Sequence, residues 1–500
     1  MAIAGNAKKK SNLQVSLSDQ HTMLKSYHYE GPLPLGSVVA HNCGAAGLFS
    51  NKVNPQVTLI GKEVAGLYTL AVNVSGQEPF VIHGNVTSIG RRKMGQQLLA
   101  YLRGLQGLAS YNEWGSLVGV RPTKLFHKYR DKAPDAASVA NWIEAEFSVS
   151  PEKLGLLTDI GEFQRPYVDP NIIKDTLVSL YCGIPFCQTH CVYCSFPYGM
   201  WQNYGNHNGF IEALEFDMDH MAHMVQEHEL DVMSLYMGGG TPTILPDLEF
   251  ERVLAKLSPL VPEGREFTVE AGRPDSVTPE KINTMVRHEV NRISINPQTM
   301  QDAILARIGR GHTAQDIDDL YQYVKRHTSL AVNMDFIAGL PEQTDRDMTE
   351  NMDYICRSLP ENVTIHTLAL KKGSPLYESH MQQRLPNEEQ VRHMVNVARE
   401  RLETAGYRPY YLYRQQYMTG QLENIGYTLE GHACDYNIRM MEERQSVLSM
   451  GPGSSSKWMR APEFRQKKQH MPKDVDVYIR TIEQLLDKRS ALCKSFWEVV

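Results

Sequence analysis

The sequence predicts an α/β fold built on a partial barrel of six parallel strands. Six short runs rich in β-branched and aliphatic residues recur along the middle of the chain, and each is followed by a turn and a polar stretch with helical periodicity. Apolar runs that alternate with helices indicate parallel strands covered on both faces. Because no clear seventh unit follows, we expect an open (β/α)6 barrel rather than a closed eightfold one. The predicted strands are 177–183, 232–237, 266–271, 292–297, 330–337 and 363–370.

Two helices between these strands have clear start signals. Thr278 precedes Pro279, which places a hydroxyl N-cap before a proline at the first helical position. Thr344 precedes an acidic stretch and predicts a second helix start.

Two further regions flank the predicted barrel core of residues 171–385. Residues 1–170 begin with a polar tail and mix strand-like with helical segments, which predicts an N-terminal α+β accessory domain. The two prolines within 165–175 indicate a linker. Residues 386–500 open with a helix at 387–404 and form a predicted small C-terminal domain.

Composition and charge restrict the class of protein. The 500 residues carry a formal net charge of -6, and the basic runs at 8–10 and 465–468 are short, so we expect no nucleic-acid surface. No stretch has the apolar length of a membrane span, and the N-terminus lacks the apolar core of a signal peptide, which predicts a cytoplasmic protein. Eight cysteines are too sparse for a disulfide scaffold.

Chemically distinctive residues follow the ends of all six predicted strands. Parallel barrels collect functional groups where strands open into loops at their C-terminal ends, so we expect these residues on one rim. In chain order they are the cysteine cluster, the run GGGTPT at 238–243, Glu270, Gln298, Asp335 and Ala369 with Lys371. A single polar residue at the rim most often forms a structural salt bridge, whereas six such features on one rim indicate a shared functional site.

The stretch YCGIPFCQTHCVYCSF carries the most specific pattern. Cys187, Cys191 and Cys194 follow a C-x3-C-x2-C spacing. Thiolates are the usual ligands of iron–sulfur clusters, and a cluster of four irons normally takes four of them. Three would leave one iron open to a substrate or cofactor. The alternative is a structural zinc site with His190 as fourth ligand, although such sites favour paired cysteines with distant partners.

The run MGGGTPT allows close approach of a ligand to bare backbone, and Pro242 then fixes the exit of the chain. No Gly-Lys-Ser/Thr follows, so this run is not a P-loop.

Taken together, these motifs resemble the radical SAM superfamily, in which three cysteines hold a [4Fe-4S] cluster whose open iron binds S-adenosylmethionine (SAM). The stretches YCGIPFCQTHCVYCSF, LYMGGGTPTIL, NRISINPQTM and MDFIAGLPEQT resemble the oxygen-independent coproporphyrinogen III dehydrogenases and their relatives over about residues 177–460. VGVRPTKLFHKYRD at 118–131 and YNIRMMEERQSVLSMGPGSSSK are similar to the longer HemZ-type members.

The resemblance implies roles for residues of the predicted rim. The implied cluster ligands are Cys187, Cys191 and Cys194. The implied contacts of SAM are Tyr181 near the cluster-bound molecule, Tyr193 at the adenine, Gly239, Gly240 and Thr241 at the methionine part, and Glu270, Gln298, Arg310, Asp335 and the backbone of Ala369.

The resemblance also implies a reaction. One electron from the cluster would cleave SAM to methionine and a 5′-deoxyadenosyl radical, which would take hydrogen from a propionate of coproporphyrinogen III. Loss of CO2 and one further electron would leave a vinyl group, as in protoporphyrinogen IX. The implied partners are a tetrapyrrole substrate and a low-potential electron donor of the flavodoxin or ferredoxin type, while the protein supplies placement.

Differences from the dehydrogenases leave other functions open. Ser195-Phe196 follows Cys194, whereas those enzymes have a fourth cysteine two positions on, and Gly183 replaces a histidine. Haem chaperones of the same branch also lack the fourth cysteine, but they carry an HNxxxW-like motif where this chain has YNIRMM at 436–441. The alternatives are a haem- or porphyrin-handling protein that keeps the cluster, or a radical SAM enzyme that acts on another tetrapyrrole.

Three further groups have both a functional and an ordinary structural interpretation. His220, His223 and Glu227 share a helical face that could bind a metal or haem, although an exposed polar face is the commoner reason for such a pattern. Aromatic and basic residues elsewhere could stack on a tetrapyrrole and pair with its propionates, or simply pack. They are Tyr410, Tyr411, Tyr413, Arg408, Arg414, Arg121, Lys124 and Lys128.

Overall fold

The computed structural model describes most of the chain, and its described residues divide into two compact units, one that ends at Asn112 and one that begins at Glu113. The described ranges are 24–107, 113–117, 121–196, 199–371, 373–378, 384–415, 418, 420 and 422–497. The basic run at 8–10 and residues 118–120 of the motif at 118–131 lie outside them.

The first unit is an α+β structure, as the sequence predicts for the N-terminal region. A five-stranded sheet in the order β2-β1-β3-β4-β5 packs with two helices around buried residues such as Leu59, Leu70 and Leu98. The elements are β1 Ser26–Glu30, α1 Leu33–Ala45, β2 Phe49–Ser50, β3 Val57–Val64, β4 Leu67–Val74, β5 Phe80–Asn85 and α2 Ser88–Leu105.

Three helices open the second unit, namely α3 Pro122–Arg130, α4 Ala136–Phe147 and α5 Pro151–Val168. Their buried residues, including Phe126, Ile143 and Leu157, share one hydrophobic core with the strands that follow. The boundary between the compact units therefore falls after Asn112, whereas the sequence predicts a domain boundary near residue 170. The apparent linker misleads because Pro166 lies inside α5, which is held by its packing on that core.

The six predicted barrel strands are all present and parallel, in chain order across the sheet. They are β6 Leu177–Ile184, β9 Asp231–Gly239, β10 Glu266–Gly272, β11 Arg292–Gln298, β12 Ala331–Ala338 and β13 Asn362–Thr367. Two short strands, β7 Phe186–Cys187 and β8 Gly199–Met200, separate the first two.

Helices return the chain after each barrel strand. Both predicted N-caps are confirmed: the Thr278 side chain accepts a hydrogen bond from Lys281 N, and Thr344 forms a reciprocal capping box with Asp347. The helices are α6 His207–Glu227, α7 Asp247–Leu257, α8 Pro279–Arg287, α9 Asp302–Arg307, α10 Ala314–His327 and α11 Asp345–Ser358. None of the helices in the described ranges has the length and apolar character of a membrane span.

The sheet-rich C-terminal region extends the barrel sheet at both edges. On one side β15 pairs antiparallel with β13 and is followed by β14; on the other, β16 pairs in parallel with β6 and is followed by β17 and β18. The basic run at 465–468 lies in the edge strand β18, where charge discourages pairing with a further strand. The elements are α12 Pro375–Glu378, α13 Glu388–Thr404, β14 Arg408–Tyr413, β15 Asn424–Thr428, α14 Asp435–Glu442, β16 Ser446–Met450, β17 Ser455–Arg460, β18 Arg465–His470 and α15 Val475–Trp497.

Candidate active site

The three clustered cysteines lie on the loop that leaves strand β6. Cys187 ends β7, which pairs in parallel with β8, so a two-stranded sheet closes the base of the loop. The amide of Cys194 donates to the carbonyl of Cys191 at 3.0 Å, which makes a tight turn between these two residues. All three thiols are partly exposed and free of disulfides. Burial raises the pKa of the Cys187 thiol to about 11, so this sulfur keeps its proton at neutral pH unless a metal displaces it.

Neighbouring loops hold the cysteine loop from the side. Val192 N donates to Ile308 O at 3.1 Å, and Thr189 Oγ1 donates to Gly309 O at 3.0 Å. Arg273 Nη1 in turn donates to Thr189 Oγ1 at 2.6 Å. These bonds tie the loop after β6 to segments that follow β10 and β11, and so fix it over the barrel rim.

The glycine run after β9 packs directly beneath the cysteine loop. Gly240 N donates to Ile184 O at 2.8 Å, and Thr241 N donates to Phe186 O at 2.7 Å. A Cβ at Gly240 would lie 2.3 Å from the Phe186 carbonyl oxygen, which only glycine avoids. The two loops can therefore approach this closely because position 240 has no side chain.

Glu270 is a half-buried carboxyl near the end of β10. Its Oε1 accepts from the Tyr236 hydroxyl at 2.5 Å and its Oε2 from Gly239 N at 3.3 Å. Burial raises the Glu270 pKa to about 7, the charge of Asp335 raises it further, and the two hydrogen bonds oppose the rise. Glu270 thus exchanges a proton near neutral pH.

Asp335, late in β12, has a pKa that is shifted in the opposite direction to that of Glu270. Its Oδ1 accepts from Asn333 Nδ2 at 2.9 Å, and its Oδ2 lies 3.6 Å from His366 Nε2. Burial acts to raise the Asp335 pKa, but hydrogen bonds and the charge of His366 outweigh it, and the pKa lies below its usual range. The other ring nitrogen of His366 lies 3.2 Å from the Tyr413 hydroxyl. The rim therefore combines an ionised carboxylate with a titrating one.

Arg310 connects the loop after β11 with the cysteine loop. Its Nη2 donates to the Tyr193 hydroxyl at 3.1 Å and its Nη1 to Asn296 O at 3.2 Å. Its Nε is buried and lacks a hydrogen-bond partner among the described residues. The unpartnered guanidinium N–H of Arg310 suits an anionic acceptor.

Gln298 ends β11 in a left-handed conformation with φ 68°, where the strand register shifts.

A cavity of about 230 Å³ opens beside the cysteine loop. Three predicted SAM contacts line it, namely Tyr193, Gln298 and Ala369, together with His366 and Lys371. The other predicted contacts do not line this cavity but lie on neighbouring strand ends and loops; they are Tyr181, Gly239, Gly240, Thr241, Glu270, Arg310 and Asp335.

Sequence analysis missed Tyr236 and His366. Both lie within strands that are mostly apolar, yet each has a polar residue two positions before it on the same strand, Ser234 in β9 and Thr364 in β13. Residues two positions apart point to the same face of a strand. On that face of β9, the Ser234 hydroxyl lies 2.8 Å from the hydroxyl of Ser179. The Tyr236 ring also stacks on Tyr436 of α14 at 4.7 Å between centroids.

The weaker sequence candidates have structural roles. His220 bonds to Ser490 at 2.8 Å, while His223 is exposed beside Glu227. Arg121 and Lys124 both pair with Glu443 at 2.6 Å. The Arg414 guanidinium lies 5.1 Å from the Trp114 ring centroid, and the Tyr410 ring is fully buried.

Comparison with known proteins shows the family of this chain. A family model of the radical SAM superfamily matches residues 181–355. The oxygen-independent coproporphyrinogen-III oxidase-like protein HemZ of Bacillus subtilis (strain 168) is 35% identical over 405 residues, which cover 80% of each chain. The chain belongs to the HemZ family of radical SAM proteins.

Other relatives match the HemZ-family chain over shorter stretches. The haem chaperone HemW of Bacillus subtilis (strain 168) is 27% identical over 237 residues, which are 46% of this chain and 62% of HemW. The solved structure of the coproporphyrinogen III oxidase HemN from Escherichia coli superposes with a TM-score of 0.49 and 17% identity over 65% of this chain and 72% of HemN.

Radical SAM proteins use a [4Fe-4S] cluster and SAM, and the residues of this HemZ-family chain fit both. The donor set for the cluster is three free thiols on one fixed loop. In the part of the chain that the structure describes, no group of three or more His, Cys, Asp or Glu residues could hold one metal ion between them. Cluster ligands need no such convergence, because each thiolate binds a different iron. For SAM, the unpartnered Arg310 Nε and the carboxylates offer complementary donors and acceptors.

Proposed function

We propose that this protein is a radical SAM enzyme of haem metabolism that converts two propionates of coproporphyrinogen III to the vinyl groups of protoporphyrinogen IX. The proposal is carried by one observation: the C-x3-C-x2-C loop and the glycine run share one barrel rim with two carboxyls, Glu270 and Asp335, whose pKa values shift in opposite directions. The relationship to HemZ, whose name associates it with coproporphyrinogen oxidation, supports the choice of substrate.

In this proposal Cys187, Cys191 and Cys194 hold the cluster and leave one iron for SAM. Gly240 permits the close packing that holds their loop against the barrel. The free Nε of Arg310 donates to the SAM carboxylate.

The remaining proposed contacts divide by chemistry. Asp335, kept ionised by His366, accepts from hydroxyl or ammonium groups of SAM, and Glu270 does so when deprotonated. Tyr193, whose hydroxyl is fixed by Arg310, packs against the adenine, and Gln298 and Ala369 line the cavity on the same side. Tyr181, Gly239 and Thr241 complete the proposed set of contacts.

When bound, the cluster and SAM supply the radical that removes a hydrogen atom from a propionate. The chain positions the substrate arm at the mouth of the cavity beside Tyr193, where Phe196 and Lys371 lie. Each propionate would then lose CO2 and pass one electron to an external one-electron acceptor. We propose a low-potential flavodoxin or ferredoxin as the electron donor, and the cytoplasm as the location, since all eight cysteines are free thiols.

The test is an anaerobic assay of the full chain with a reconstituted cluster. SAM, a low-potential reductant and coproporphyrinogen III are supplied, and 5′-deoxyadenosine and porphyrin mass are measured. We expect 5′-deoxyadenosine to form only with substrate, and the porphyrin to lose two carboxyl groups. Cys191→Ala should abolish both, whereas Cys356→Ala on the outer helix α11 should not.

A second candidate is a haem-handling protein that keeps the cluster. It is favoured by the similarity to HemW, and by Phe196 at the position where the dehydrogenases have a fourth cysteine. The same preparation decides between the two: haem binding without substrate-dependent cleavage of SAM would overturn the proposed decarboxylation.

A further inference from the structure

We infer that Lys371 binds a carboxylate of the tetrapyrrole at the mouth of the cavity beside the cysteine loop. This inference rests on the proposed function, since it assigns a residue to the recognition of the proposed substrate class.

Lys371 lies where the chain leaves β13, in the wall of the cavity that also contains Tyr193, Gln298 and Ala369. Its ammonium lies 5.7 Å from the centroid of the Phe196 ring. Phe196 is 54% exposed, which places this pair at the outer edge of the cavity. A substrate can therefore reach Lys371 from this edge.

The ammonium of Lys371 is half-buried, yet within the described ranges no carboxylate lies within ion-pair distance of it. Burial of a cation is costly unless an anion or hydrogen-bond acceptor compensates. A cation–π contact with an exposed ring compensates only a part of this cost. An incoming carboxylate would supply the missing partner.

Three of the cations considered for a propionate are engaged elsewhere. Arg121 and Lys124 pair with Glu443, and Arg414 lies over Trp114 and donates to the Leu117 carbonyl. Among the described residues Lys371 is a cation of the cavity wall with no carboxylate partner, and the neighbouring charged group that acts on it is the thiol of Cys194.

The cavity, three of whose lining residues are proposed SAM contacts, is too small for a whole tetrapyrrole. At about 230 Å³ it is smaller than the roughly 300–1,000 Å³ of sites that enclose a drug-sized ligand. A whole macrocycle would remain outside, where the Phe196 face offers it an aromatic surface. One propionate would reach past Phe196 to Lys371, and a lysine binds such a group as a point charge without a fixed fork geometry.

The experiment measures binding rather than turnover. The reconstituted full-length protein with SAM bound is titrated anaerobically with coproporphyrin III, the oxidised and unreactive form of the substrate, and with its tetramethyl ester, which lacks the negative charges. Lys371→Ala and Lys371→Arg are compared with the control Lys256→Ala, which removes a lysine paired with Asp219 outside the cavity. Cluster absorbance of every variant shows that the iron–sulfur centre is retained.

We expect Lys371→Ala to weaken binding of the free acid about 10-fold, as for loss of one charge-assisted hydrogen bond, with Lys371→Arg nearer to the wild type. Binding of the ester should not change. If the free acid binds equally well to Lys371→Ala, or if acid and ester weaken together, the inference is wrong even where the wild type makes vinyl groups. If binding of the free acid depends on Lys371 but no vinyl product forms in the activity assay, the proposed reaction is wrong and the carboxylate site at Lys371 is supported.

Discussion

The hydroxyl of Tyr236 lies 2.5 Å from Oε1 of Glu270, so a phenol on β9 donates to a half-buried carboxyl on the adjacent strand β10. This bond favours the ionised carboxylate, while burial and Asp335 favour the protonated acid. The Tyr236 hydroxyl is thus the side-chain hydrogen bond that favours ionised Glu270 against burial and Asp335.

Tyr236→Phe should shift the pH dependence of SAM binding. With Glu270 at a pKa of about 7, affinity for SAM should fall as the pH drops through that value, because the protonated acid no longer accepts hydrogen bonds at both oxygens. Removal of the phenol raises the pKa and moves the midpoint to higher pH. Calorimetric titration of SAM at several pH values measures the midpoint. Tyr436→Phe, which keeps the stacked ring and touches no carboxyl of the rim, should leave it in place.

Arg310→Lys should weaken SAM binding at least 10-fold with an unchanged iron content. The lysine keeps the charge but loses the N–H that has no partner in the protein, and charge-assisted bonds contribute about 1.5–3 kcal/mol. Equilibrium binding of SAM to the reconstituted protein measures the loss. The control is Arg307→Lys, whose guanidinium pairs with Glu342 on the outside. Equal affinity in both variants would contradict the role of Arg310.

Gly240→Ala should lower the amount of cluster that the protein holds. The added Cβ would collide with the Phe186 carbonyl and displace the strand that leads into Cys187, at a cost of about 1–3 kcal/mol. Iron and sulfide content after reconstitution measure the effect. Gly205→Ala meets no atom within 4 Å and should retain the cluster. A full complement of iron in Gly240→Ala would show that the loop tolerates the shift.

Substitution of two adjacent glutamates should change the stability by very different amounts. Glu443 is surrounded by Arg121, Lys124 and Lys457, which hold its pKa far below the usual range although burial acts to raise it. A carboxyl whose pKa is lowered by folding stabilises the folded state at pH values above its unfolded pKa, and this stabilisation is lost as the pH falls. Glu443→Gln should therefore lower the free energy of unfolding by about 3 kcal/mol at pH 7 and by progressively less in acid. Denaturant titrations at several pH values measure this.

Glu442→Gln is the matched control. Burial raises the Glu442 pKa to about 7, so about half of these carboxyls are protonated at neutral pH, and glutamine still accepts the hydrogen bond from Thr123. We expect a change of less than about 1 kcal/mol at pH 7. A loss as large as that of Glu443→Gln would mean that Glu442 is ionised in the fold.

The sequence predicts the barrel well because its strands are local patterns. Each strand from Leu177–Ile184 to Asn362–Thr367 is an apolar run with a distinctive residue near its end, and the N-caps Thr278 and Thr344 are equally local. Long-range packing was not predicted. Pro166 looks like part of a linker but lies in a helix that packs on the barrel, and Tyr236 matters only because β10 brings Glu270 beside it.

The pairing of β6 with β16 has a consequence for how the protein matures. Strand β6 leads into the cysteine loop, and its two flanks are β9, which is synthesised soon afterwards, and Ser446–Met450, which lies much later in the chain. A growing chain therefore leaves one edge of that strand unpaired until the residues around Met450 have left the ribosome.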